Sequence, residues 1–274
     1  MKRFVMPVLA ATVAVLGVSA QTAAASPGSY PTPIAKTTSA ATPTAAAATA
    51  GVRPATVSYP PLRLEIGRTP EGRQIRAVRQ GDPKATRVLV VLGQMHGNEK
   101  QAPLVVSAVR RLVTRPGTAV WTIMTMNPDG AARGRRYNAA WVDLNRDFPT
   151  SGRYLGGLSG AWAWTQPETR SVAGFLTRLR PDAVVSFHQP FNLVDGDNPK
   201  NVGWAVKLAA WTGVPAGIAS CGGACYGTLT GWFNRTMPGW AMTFELSSAP
   251  TQAHIDQVAW VLVNRLAPAI RDFR

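Results

Sequence analysis

The chain has 274 residues, with 29 Lys and Arg against 14 Asp and Glu, a formal charge of +15 and a sequence pI near 11.0. So basic a chain is drawn to polyanions, but its arginines are spread rather than run together and no nucleic-acid motif occurs. Nucleic acid is therefore excluded as the expected partner, and an anionic cell envelope takes its place.

Residues 1–25 read as a secretory signal peptide. Lys2 and Arg3 precede an apolar stretch from Phe4 to Val18, and Ala23-Ala24-Ala25 offers small residues for cleavage. The stretch falls short of the roughly 20 apolar residues of a membrane span. The expected product is secreted, extracellular or held in the envelope, with no stable membrane insertion after cleavage. Residues 26–58 are Ala, Thr, Pro and Ser with almost no charge. Such a segment cannot bury enough surface to offset its ordering entropy, and it reads as a disordered tether. Residues 59–274 are long enough for one well-packed domain.

Within that domain, Leu62–Gly67 and Gln74–Arg79 alternate apolar and polar residues around Thr69-Pro70-Glu71-Gly72, which predicts a β-hairpin. Val88–Leu92 is the first core strand, and Ala102–Val113 has helical spacing with Pro103 tolerated in the first turn. Ala119–Met126 is a strand ended by the turn Asn127-Pro128-Asp129-Gly130. Residues 131–165 lack periodicity, and so long a loop is usually functional. Gln166–Leu179 predicts an amphipathic helix, Ala183–Phe187 a strand, and Val202–Trp211 a helix. A Gly-rich loop follows, then a strand at Trp240–Leu246 and a helix over Thr251–Leu266. Strands alternate with helices, so the class is α/β, a single domain with a mixed, mostly buried sheet flanked by helices.

The chemistry concentrates at strand ends. Leu89-Val90-Val91-Leu92-Gly93 leads into His96-Gly97-Asn98-Glu99, and a second apolar strand ends at His188. Open α/β sheets collect ligands at the carboxyl ends of their strands. Imidazole and carboxylate are both zinc ligands, and a catalytic zinc keeps one position for water. The chain has only three histidines. The third, His254, falls on the last helix as a structural or surface residue. Four more pieces join these: Arg133, Arg135 and Arg136, then Asp143-Leu144-Asn145-Arg146, and finally Glu245 within an apolar strand.

Taken together, and in this order, these pieces resemble the zinc carboxypeptidase superfamily, with the look of the bacterial murein peptide amidases in Val142–Arg146 and Phe187–Pro190. The resemblance covers about residues 60–270. It implies one Zn²⁺ per chain on His96, Glu99 and His188, with Glu245 as general base and acid. It implies Arg136 as the oxyanion's partner, although the loop can slip to put Arg133 or Arg135 there. Asn145 and Arg146 would hold the substrate's carboxylate, Asp143 would orient a ligand histidine, and Tyr226 would touch substrate. Trp162, Trp164 and Trp232 fall in expected loops, where they could line a substrate groove.

The implied activity is hydrolysis of a peptide amide beside a free carboxylate, in murein peptides the γ-D-glutamyl–diaminopimelate bond. Alternatives are a general metallocarboxypeptidase, a deacylase of the aspartoacylase type, which an export signal disfavours, and a non-catalytic basic wall-binding protein. Cys221 and Cys225 are the only cysteines, an even pair in an exported chain, and predict a disulfide across Gly222-Gly223-Ala224. Thiol titration of the unfolded, unreduced protein is expected to find no free thiol. Two free thiols would show the pair to be reduced.

Overall fold

A computed structural model describes residues 59–150, 163–219 and 225–272. The signal-peptide and tether readings, Trp162 and Cys221 lie outside the described residues. The frame is an eight-stranded sheet in the order β1-β2-β4-β3-β5-β8-β6-β7. Its strands are β1 (Leu62–Arg68), β2 (Gln74–Gly81), β3 (Arg87–Gln94), β4 (Thr118–Thr125), β5 (Ala183–His188), β6 (Phe191–Asp195), β7 (Ala216–Gly217) and β8 (Trp240–Ser247). The four central strands β4, β3, β5 and β8 are parallel, and their Val-, Leu- and Ala-rich runs are buried on both faces, as helix-covered parallel strands require. β1 and β2 extend one side antiparallel, and β6 returns antiparallel along β8.

The helices are α1 (Ala102–Arg110), α2 (Pro128–Arg133), α3 (Pro167–Leu179), α4 (Val202–Thr212), α5 (Leu229–Thr236) and α6 (Gln252–Val261). They divide the core into two clusters, one on each face. Leu89, Val91, Val185 and Phe244 face α1, α4 and α6 in one. Val90, Leu92, Val184 and Ala241 face α3 and α5 in the other. No helix among the described residues is long and apolar enough to cross a membrane.

Three expected loops turn out otherwise. The Asn127-Pro128-Asp129-Gly130 turn is the start of α2, because the Asn127 side chain caps the Gly130 N–H and Pro128 needs no donor partner at the first turn. The Gly-rich loop gives way to α5, whose N-cap is Thr228. Trp232 is therefore a buried helix residue: it packs against Phe148 and Trp164 in an aromatic cluster. The short strand β6, which the sequence reading missed, follows the cis Gln189–Pro190 bond.

Glu168 opens α3, where the helix dipole favours its anion. Burial outweighs that, and despite the Asn138 hydrogen bond it pushes the carboxyl up to about 7, with Asp129 and Asp147 adding repulsion. The folded chain thus holds this proton more tightly than the unfolded one. Its contribution to stability is complete below about pH 4.5 and is lost as pH rises through about 7. Glu168→Gln is expected to flatten the fall in urea midpoint across that window; an unchanged slope would assign the fall to another group.

Candidate metal centre and active site

β3 and β5 are direct neighbours, so their carboxyl ends bring His96 and His188 together. The two Nδ1 atoms lie 3.2 Å apart, and each faces a different oxygen of Glu99, at 2.7 Å from His96 and 3.1 Å from His188. Each far nitrogen is anchored: His96 Nε2 is 3.0 Å from Asp143 Oδ1 and His188 Nε2 is 3.2 Å from Ser186 Oγ. If both Nε2 atoms carry their protons toward those oxygens, both Nδ1 lone pairs face inward.

The ligand-bearing loop has little freedom. Asn127 Nδ2 donates to the carbonyls of Met95 and Arg136, and the Gly97 N–H donates to Arg136 as well. A Cβ on Gly97 would sit 2.0 Å from the carbonyl carbon of Gly130, so only glycine lets the loop lie this close to α2.

His96, Glu99 and His188 are the group of metal-donor side chains found among the described residues, with donor atoms all within 4.8 Å of one another. All three are buried. Two imidazole nitrogens and one carboxylate, converging in a buried site, fit a divalent cation, and this donor set suits zinc. For Glu99, burial opposes ionisation, but the histidines hold the carboxyl well below its usual range. For His96, burial works against the imidazolium, but its bonds to Asp143 and Glu99 leave the net shift upward.

Asp143 bridges the ligand shell and the cavity wall. One oxygen meets His96 and accepts the Asn145 N–H, and the other accepts from Arg136 at 3.0 Å (Nε) and 2.9 Å (Nη2). Burial would raise its carboxyl, yet the bond to His96 and the arginine charges hold it well below the usual range. Of the three candidate arginines, Arg136 alone lines the cavity. Arg133 pairs with Glu71, and Arg135 stacks on Trp141 while donating to the Asn138 carbonyl.

That cavity has a volume of about 290 Å³ and opens beside the metal-donor group, with Arg136, Asn145 and Arg146 on its wall. Asn145 Oδ1 accepts the Leu229 N–H, tying the start of α5 to the loop after Asp143. Gly227 (φ +73°) completes this seam, since a Cβ there would lie 2.5 Å from the Arg146 carbonyl oxygen. Glu245 stands beside His188 in the β5–β8 register, lines the cavity, and has an oxygen, Oε2, with no hydrogen-bond partner. Burial raises its carboxyl, and the Glu99 charge adds to the effect against the pull of His188.

Tyr226 is half-buried and is not among the residues that line the cavity; Cys225 and Thr228 line that stretch instead. No free cysteine is found among the described residues. The sequence reading overlooked Asp195 and Asp197, which also line the cavity. Asp195 is only 7% exposed. Its carboxyl is pushed up to about 6, by burial first and by Asp197 next. The available signal was a run of apolar residues ending in Asp195, but a five-residue strand rarely stands out.

The zinc carboxypeptidase family model matches residues 56–194, just over half of the chain. The chain belongs to that family. The match includes all three metal-donor residues and Asp143-Leu144-Asn145-Arg146, and stops before Glu245. Murein peptide amidase A of Escherichia coli K12 is 28% identical over 163 residues, which is 53% of this chain and 66% of that protein. The chain thus spans slightly less than two thirds of that relative's length. Among solved structures, the murein-tripeptide amidase of Escherichia coli O157 superposes with a TM-score of 0.64 at 24% identity, covering 76% of this chain and 93% of that one. Carboxypeptidase A of Helicoverpa armigera gives 0.64 at 18% identity, covering 80% and 70%. These structural likenesses establish the fold.

Zinc stoichiometry offers the direct check on the donor set. One zinc per chain is expected for the purified protein, and His188→Ala is expected to lose it, since two side chains rarely retain a catalytic zinc. Full occupancy in a folded His188→Ala protein would remove His188 from the set.

Proposed function

We propose that the protein is an exported zinc peptidase that hydrolyses a peptide amide beside a free carboxylate, with murein peptides as substrate and the γ-D-glutamyl–diaminopimelate amide as the bond cut. The observation that carries the reading is that one cavity beside the metal-donor group is lined by both signs of charge: Arg136 and Arg146, and the carboxylates of Glu245, Asp195 and Asp197. A substrate with a carboxylate beside the scissile bond and a distant ammonium matches that mixed lining, and diaminopimelate carries both.

His96, Glu99 and His188 would hold Zn²⁺, which when bound supplies Lewis acidity and lowers the pKa of its water to about 7. Asp143 and Ser186 fix the two imidazole orientations. Arg146 and Asn145 position the substrate carboxylate, a task for which the guanidinium fork is suited. Glu245 takes a proton from the attacking water and delivers it to the leaving nitrogen as the C–N bond breaks; burial raises its carboxyl and so strengthens it as a base. Arg136 faces the oxyanion that develops at the carbonyl.

Asp195 extends the reading to the far end of the substrate. The antiparallel register pairs Leu193 with Glu245 and Val194 with Phe244, which carries Asp195 to a position opposite Thr243, on the same face as Glu245. Diagonal neighbours of this kind lie about 7–8 Å apart. That separation suits a side chain with an amide at one end and an ammonium at the other. The Cys221–Cys225 pair would brace the loop between β7 and α5, and the basic exterior would keep the protein on an anionic envelope.

Glu245→Gln is expected to keep zinc and fold while turnover drops by about 10²–10⁴; unchanged turnover would take Glu245 out of the chemistry. Substrate class is read by comparing L-Ala-γ-D-Glu-diaminopimelate with an N-acylated α-linked dipeptide ending in an aromatic residue. The γ-linked peptide should be cut faster, and Asp195→Asn should narrow the gap. Much faster cleavage of the α-linked peptide would favour a general carboxypeptidase.

A further inference from the structure

A second cavity, of about 420 Å³, lies on the antiparallel wing of the sheet and shares no residue with the catalytic one. The registers put Arg63 opposite Val78, Glu65 opposite Arg76, and Val78 opposite Thr122. Alternate residues share a face, so Arg63, Arg76, Val78 and Thr122 point the same way. The other face carries Ile75 and Ala77 into the core beneath α3. Arg110, in the last turn of α1, reaches over the open face and donates to Thr122 Oγ1 at 2.8 Å. The cavity is walled by Arg63, Arg73, Arg76 and Arg110, with Gln74 and Thr125.

No carboxylate lines it. Arg73 is already held by Glu71 and Asp129, and Glu65, the acid nearest on that face, pairs with Arg68. Arg63, Arg76 and Arg110 have no carboxylate partner among the described residues. An exposed arginine alone is ordinarily just solvated. Here Arg110 is half-buried, and burial together with the Arg63 charge beside it disfavours its cation. A concave surface on which three of four arginines lack a carboxylate partner is stabilised by an incoming anion.

We propose that this cleft is an anion-binding site for the phosphate groups of a soluble polymer, which it holds while the catalytic cavity remains free. Guanidinium forks match phosphate oxygens in pairs. Cations on two adjacent strands and a crossing helix end spread over about 10 Å, two strand spacings, which suits successive phosphates better than a single small anion.

The test uses the full-length protein and linear polyphosphate as probe, by titration calorimetry at about 0.15 M salt, where long-range attraction between exposed charges is screened. Wild type is expected to bind. Arg63→Glu/Arg76→Glu should weaken binding by about tenfold or more. Arg115→Glu/Arg178→Glu makes the same charge change on exposed arginines outside the cleft, and should weaken it far less. Thermal unfolding checks that each variant is folded, and Arg63→Gln/Arg76→Gln gives the same comparison if the glutamates disturb the wing. Equal weakening in both double variants would reduce the effect to net charge and overturn the site. No binding by wild type would overturn it too, as would binding to phosphatidylglycerol vesicles but not to polyphosphate, which would make the source a lipid headgroup.

Discussion

Glu99 is a carboxylate buried between two imidazoles, and the architecture around the site works to make that arrangement tolerable. Burying an ionised carboxylate without compensation is costly. Here two imidazoles close on it, with Nδ1 atoms at 2.7 and 3.1 Å, and their rings are held from the far side, at Nε2, by Asp143 and Ser186. The requirement passes outward. Asp143 needs Arg136, and Arg136 sits on the segment whose backbone accepts from Gly97 and Asn127. A change in this chain of contacts reaches the donor atoms through at most a few bonds, which is why the loop after β3 must lie flat against α2.

The cavity shows a second consequence of strand order. Because β8 lies between β5 and β6, one strand presents Glu245 beside a metal-donor histidine and beside the strand that carries Asp195. A parallel neighbour on one flank and an antiparallel neighbour on the other place Glu245 and Asp195 on one face, about one diagonal step apart. With β6 antiparallel, the register sets Asp195 opposite Thr243, two residues before Glu245 on β8.

The central strands and the metal-donor residues were legible in the sequence because buried parallel strands are long apolar runs, and because His96 and His188 stand where such runs stop. Helix α2 was harder to read: its Asn-Pro-Asp-Gly opening has equally good turn and helix-cap chemistry, and the choice falls to tertiary contacts of Asp129 with Thr69 and Arg73. Strand β6 was missed because five residues give too little alternation to register, and α5 because its apolar residues follow a Gly-rich stretch. Among Arg133, Arg135 and Arg136 the sequence named Arg136 only through the resemblance, since Arg133 ends α2 and the other two lie just beyond it, where packing fixes the side chains.

The distribution of charge, more than its total, distinguishes the molecule. Only 14 acidic residues are available, yet Glu99, Asp143, Asp195, Asp197 and Glu245 all stand at or beside the catalytic cavity. Burial is the first cause that pushes the Asp195 and Glu245 carboxyls up, and the charges of neighbouring carboxylates add to it. A fold that gathers so many of its few acids around one cavity, and leaves arginines without carboxylate partners in a second cleft, forgoes ion pairing that would have cost it little. Both departures favour a ligand of the complementary sign: a cationic group within the catalytic cavity, and an anionic chain outside it.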